Sequence, residues 1–151
     1  MTQEERMLLI KDLSARLPYA VTVEHTSGFR GTLHDITVYH MYDENDNVYD
    51  AICYTDFFGD EDDIYIEYFK PYLFPLSSMT EEQKNECFKG TPLEIDKYGG
   101  IAVKDDLYGG SLYTDLEIYL EVIVWLLKNH FDYLGLIPMG LANDATGLNI
   151  Y

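Results

Sequence analysis

Between Arg30 and Lys70 the chain has no lysine or arginine, and residues 31–69 carry eleven carboxylates. These are Asp35, Asp43, Glu44, Asp46, Asp50, Asp56, Asp60, Glu61, Asp62, Asp63 and Glu67. Nine aromatics, from Tyr39 to Phe69, are threaded among them. Aromatic and β-branched residues favour strands, but like charges facing each other across a sheet destabilise it. The window must therefore fold as strands whose acids collect at turns and edges. They do concentrate at two runs, Asp43–Asn47 and Asp56–Asp63.

Tyr19–His25 alternates, with Val21 and Val23 on one face and Thr22 and Glu24 on the other. Ser27-Gly28 supplies turn chemistry, and Gly31 marks a bulge or a close backbone approach. Thr32–Met41, Val48–Thr55 and Ile64–Phe69 read as the next three strands. Pro71 and Pro75 bracket Tyr72-Leu73-Phe74 and are expected to stop further pairing.

Helices flank this block. Thr2 and Glu5 have capping-box spacing, Met7, Leu8, Ile10, Leu13 and Leu17 line one side, and Pro18 ends the helix. Thr80 and Gln83 cap a short second helix, with Gly90 past its end. Residues 91–113 read as irregular, with turns at Tyr98-Gly99-Gly100 and Tyr108-Gly109-Gly110 and a short strand at Ile101–Val103. Thr114 and Glu117 open a third helix running to about His130. It is apolar nearly all round, which predicts a central buried helix, packed on the sheet and covered by the first helix. The turn-rich tail Phe131–Tyr151 is apolar enough to be tied down.

The expected fold is a single α+β domain over residues 1–151. It has an N-terminal helix, then a small antiparallel sheet or SH3-like barrel of about four strands within 19–69. A helical and irregular part follows over 76–151, with a short helix and a buried C-terminal helix. At 47% hydrophobic and 15% aromatic, the chain can build a core.

The net charge of −17 disfavours direct contact with nucleic acid or anionic lipid and favours basic surfaces. Met1–Leu17 lacks the apolar core of a signal peptide. Ile118–Leu127 is broken by Glu121 and too short to span a bilayer. The chain is expected to be soluble and cytoplasmic. Cys53 and Cys87 lack disulfide or zinc-knuckle spacing and read as reduced, buried thiols.

Sequence patterns for chemistry are weak. Asp43, Asn45 and Asn47 begin an EF-hand spacing, but Val48 and Tyr54 stand where Gly and a bidentate Glu are required. His34 and His40 share strand parity without a third ligand. Cys53 with His34 or His40 and Asp35 lacks an oxyanion loop. Phosphate-binding loops are absent. No catalytic, cofactor or metal residue is assigned. The acidic, aromatic window remains as a partner-binding surface: Asp43, Glu44, Asp46, Asp56, Asp60, Glu61, Asp62 and Asp63, with Tyr42, Tyr49, Phe57 and Phe58 as anchors. The same acids also serve simply to keep an aromatic sheet soluble and guard its edges.

Three stretches resemble an uncharacterised family of small proteins from gut Bacteroidales phages, prophages and mobile elements. They are Leu13–Tyr19, Lys70–Glu82, and Asn129–Ile137 with Gly140-Leu141-Ala142. Phe74 and Leu134 stand where such relatives are expected to carry arginine. The resemblance implies a phage or mobile-element setting and transfers no activity. With the net charge of −17 and eleven acids without a base as its motivation, the leading expectation is a non-enzymatic acidic phage-type accessory protein that binds a basic surface on a host or phage protein. Such a partner would handle nucleic acid or belong to an anti-phage defence system. Two alternatives stand beside it. One is a small enzyme or nucleotide sponge with a Tyr-rich pocket using His34 and His40; the other is a structural module that forms a homodimer.

Overall fold

The computed structural model describes residues 1–41, 48–55, 65–104 and 116–151. Helix α1 (Gln3–Arg16) opens on a closed capping box. The Thr2 hydroxyl accepts from the Glu5 amide, and the Glu5 carboxylate accepts from the Thr2 amide. Leu17–Tyr19 tightens into a 3-10 turn carrying Pro18, and Ala20 then adopts a left-handed φ of 54°. That reversal drops the chain into strand β1 (Thr22–His25).

Strands β2 (Arg30–Met41), β3 (Val48–Thr55) and β4 (Phe69–Pro75) follow, with a 3-10 turn at Ile66–Tyr68 before the last. Helix α2 (Glu81–Cys87) carries the second capping box, Thr80 with Gln83. Strands β5 (Leu93–Ile95) and β6 (Ile101–Val103) pair as a small hairpin. Asp96 closes its turn, accepting from the Tyr98 and Gly100 amides while Gly99 takes a φ of 81°. Helix α3 (Leu116–Lys128) and two-residue strands β7 (Phe131–Asp132) and β8 (Asn143–Asp144) complete the chain. The architecture is α+β, with the main sheet curled into a half-barrel.

That sheet runs β3-β2-β1-β4-β7, with β8 also pairing β4. The first four strands pair antiparallel, as the alternation predicts, and the tail strands β7 and β8 join β4 in parallel. Two expectations are corrected here. Strand β4 begins where the fourth strand was expected to end, and Pro71 and Pro75 lie inside it. Pro71 opposes Val23 at the end of the β1 ladder and Pro75 is the last strand residue, positions where a missing donor disrupts least. The register irregularity falls between Leu33 and Asp35, not at Gly31, which opposes Val23 regularly.

Two apolar clusters fill the interior. One joins Leu9, Ile10 and Leu13 of α1 to Val21, Val23, Leu33, Ile66, Phe69, Leu73 and the tail residues Leu136 and Leu141. The other joins Leu76, Met79, Cys87, Phe88 and Leu93 to Val122 and Leu126 of α3 and to Phe131. Helix α3 therefore belongs to the second cluster and is not the central element predicted from its composition. Val122 and Leu126 are buried, but Tyr119, Leu120 and Val124 are 39%, 55% and 47% exposed. Val124 lies about 200° around the helix from Val122, so one stripe finds neighbours and the other does not.

Candidate functional site

Strand β1 covers only the beginning of β2: Thr22, Val23 and Glu24 oppose Thr32, Gly31 and Arg30. Beyond Leu33, β2 pairs among the described residues with β3 alone, from Leu33 opposite Thr55 to Met41 opposite Val48. Among the described residues, the result is a two-stranded ribbon with β3 at the sheet edge. A ribbon this narrow needs support, and helix α1 packs against both of its strands. Acid run 43–47 enters β3 at Val48 and acid run 56–63 leaves it at Thr55. Seven residue steps separate those ends, a span of about 24 Å.

Of the expected partner-binding residues, Tyr49 lies in β3 opposite His40. Tyr42, Asp43, Glu44, Asp46, Asp56, Phe57, Phe58, Asp60, Glu61, Asp62 and Asp63 lie outside the described residues. His34 is exposed on β2, and His40 is placed in the same strand by its backbone. Cys87 is buried, and burial pushes its thiol up to about 12, which makes it a poor nucleophile. Among the described residues no group of three or more His, Cys, Asp or Glu could hold a metal. No helix among them is long and apolar enough to cross a membrane.

Two constellations emerge that the sequence did not announce. The first centres on Glu24, on the polar face of β1. Its Oε2 accepts from the Tyr72 hydroxyl at 2.5 Å and the Asn143 amide at 2.9 Å, and its Oε1 accepts from Arg30 Nε at 3.4 Å. Arg30 also lies 4.9 Å over the Tyr72 ring. Burial and the Glu24 carboxylate together push the Tyr72 phenol up. This cluster ties β1, β2, β4 and β8 together, so it reads as structural.

The second lies at the exit of α3. His130 takes a left-handed φ of 58°, with its amide donating to the Leu127 carbonyl at 3.1 Å. Glycine is usual at such a helix exit, and a larger residue there costs about 1 kcal/mol. The imidazole stacks on Tyr151 at 3.8 Å and 4° between planes. Tyr151 in turn donates to the Tyr72 carbonyl at 2.6 Å and accepts from the Thr22 amide at 3.3 Å. His130 is 7% exposed, and its Nδ1 is shut off from solvent without a hydrogen-bond partner. Burial, seconded by the Arg16 charge, lowers its pKa to about 4, so the ring is neutral near pH 7. A cavity of about 510 Å³ opens here between β4, α2, the α3 exit and the tail. The available signal was a non-glycine residue at a helix exit; the partners at 74, 83 and 151 are too distant in sequence for local patterns to join.

Comparison of the chain with family models, with characterised proteins and with solved structures finds no match.

Proposed function

We propose that this chain is a non-enzymatic binding module that captures a basic protein along its β2–β3 ribbon. The observation that carries the reading is that β3 is an edge strand among the described residues, with an acid run entering it at one end and leaving at the other in sequence. An extended basic segment laid along β3 would gain main-chain hydrogen bonds from the open edge. Its lysines and arginines would meet carboxylates near both ends, and Tyr49, Phe57 and Phe58 supply anchors of the type that dominate protein interfaces. A net charge of −17 adds long-range steering toward basic surfaces.

The net charge of −17 supports a basic partner, and the resemblance to phage and mobile-element proteins gives the setting, in which proteins that handle nucleic acid or serve in defence are the candidates. Capture from a Bacteroidales lysate tests the reading. The immobilised chain should retain basic proteins at low salt and release them at high salt. A variant carrying Asp60→Asn, Glu61→Gln, Asp62→Asn and Asp63→Asn should retain them poorly. Capture indifferent to both salt and neutralisation rules the reading out.

A further inference from the structure

The geometry points to a second site, independent of the ribbon: the cavity at the α3 exit binds a small organic anion with a planar apolar body. Its apolar walls are Phe74, Phe131 and Tyr151, and its polar groups include Gln83, Lys128 and His130. Among the described residues, no Asp or Glu side chain lines it. The cavities beside α2 and β5 mix Lys84, Lys97 and Lys104 with Glu94 and Asp96, or Lys84, Lys89 and Lys104 with Glu82 and Glu86, and the one at β1 sets Lys70 against Glu24. Of these four cavities it is the one that sets a lysine in its lining with no described carboxylate side chain beside it, so an anion there meets no like charge from those walls.

The donors are free to act. Lys128 is exposed and makes no ion pair among the described residues. Gln83 uses its carbonyl oxygen to accept from the Thr80 amide, which leaves its NH₂ group available. The His130 ring makes no hydrogen bond among the described residues. A buried imidazole kept without a hydrogen-bond partner at Nδ1, on a backbone that glycine would hold more easily, is costly unless something uses the side chain. The cavity volume is in the range that takes a small ligand. Its aromatic walls would hold a planar body, while Lys128, Gln83 and His130 supply donors for the charged group.

Trp125 provides a reporter. It is the only tryptophan of the chain and stacks on Phe131 at 5.8 Å and 13°. The test titrates the full chain with AMP and with 3-phenylpropionate, alongside their uncharged counterparts adenosine and 3-phenylpropanamide. Equilibrium dialysis measures binding, and Trp125 emission reports its place. At least one anion should bind saturably, about tenfold tighter than its uncharged counterpart. Preference for AMP would identify the charged group as phosphate, and preference for 3-phenylpropionate as carboxylate. Lys128→Gln and His130→Gly should each weaken binding about tenfold. Glycine accepts the backbone of residue 130 without strain, so the second variant keeps the fold. Failure of both anions to bind, equal binding of the uncharged molecules, or full binding by either variant overturns the site.

Discussion

Arg16 and Asp12, one helical turn apart on α1, form a bidentate ion pair in which neither side chain reaches solvent. The Nε–Oδ2 and Nη2–Oδ1 distances are 2.7 and 2.9 Å. Arg16 also donates to the Phe131 carbonyl at 2.8 Å and the Leu127 carbonyl at 3.4 Å. The pair thus bolts α1 and the first apolar cluster to the exit of α3 and the second. Burial pushes the Asp12 carboxyl up, and the Arg16 guanidinium opposes that push.

Removing one partner should be far worse than removing both. Arg16→Met leaves a buried carboxylate unpaired, takes one of the donors from each of the Leu127 and Phe131 carbonyls, and should destabilise by about 3–5 kcal/mol. The double variant Asp12→Leu with Arg16→Met should recover most of that loss, because no charge is left buried. Urea unfolding of the two variants and the parent measures the difference.

His130 makes stability depend on acid. Its pKa is lowered to about 4 in the folded state, against ~6.5 for the unfolded chain. Between those values the unfolded chain binds the extra proton, so stability drops as pH falls through that window. Above it the group contributes no pH dependence. The full loss from this one group is about 3 kcal/mol. Urea midpoints at neutral pH and near pH ~4.5 should differ less in His130→Gly than in the parent.

The Glu24 cluster should hold the tail to the sheet. Tyr72→Phe removes a hydrogen bond to a charged acceptor and should cost about 1.5–3 kcal/mol. Asn143→Ala should chiefly loosen β8, read as faster amide exchange at Ala145, whose N–H donates to the Leu73 carbonyl at 2.9 Å.

The two stripes of α3 should respond in opposite ways. Leu126→Ala opens a cavity in the second cluster and should cost about 2–5 kcal/mol. Leu120→Glu and Val124→Lys should each stay within about 0.5 kcal/mol of the parent. Thermal or urea unfolding checks all three.

The elements that could be read from sequence are those decided by near neighbours. Thr2 with Glu5 and Thr80 with Gln83 are local devices, and both close as their spacing predicts. Val21 and Val23 are fully buried while Thr22 and Glu24 on the other face are not, because alternation alone assigns strand faces. The errors arise where distant contacts decide. Pro71 is tolerated because of where the β1 ladder ends, which nothing around Pro71 discloses. The exposed stripe of α3 cannot be inferred from composition, since Leu120 and Leu126 are equally apolar. The site at the α3 exit joins Phe74, Gln83, His130 and Tyr151, and only the tertiary fold brings them together.

Amide hydrogen exchange across β3, with and without a captured basic protein, tests the ribbon most directly. Strand addition should slow exchange at alternate amides between Val48 and Thr55, those pointing away from β2, with smaller changes elsewhere. A bound partner that leaves β3 exchange unchanged while protecting another surface would contradict the proposed function.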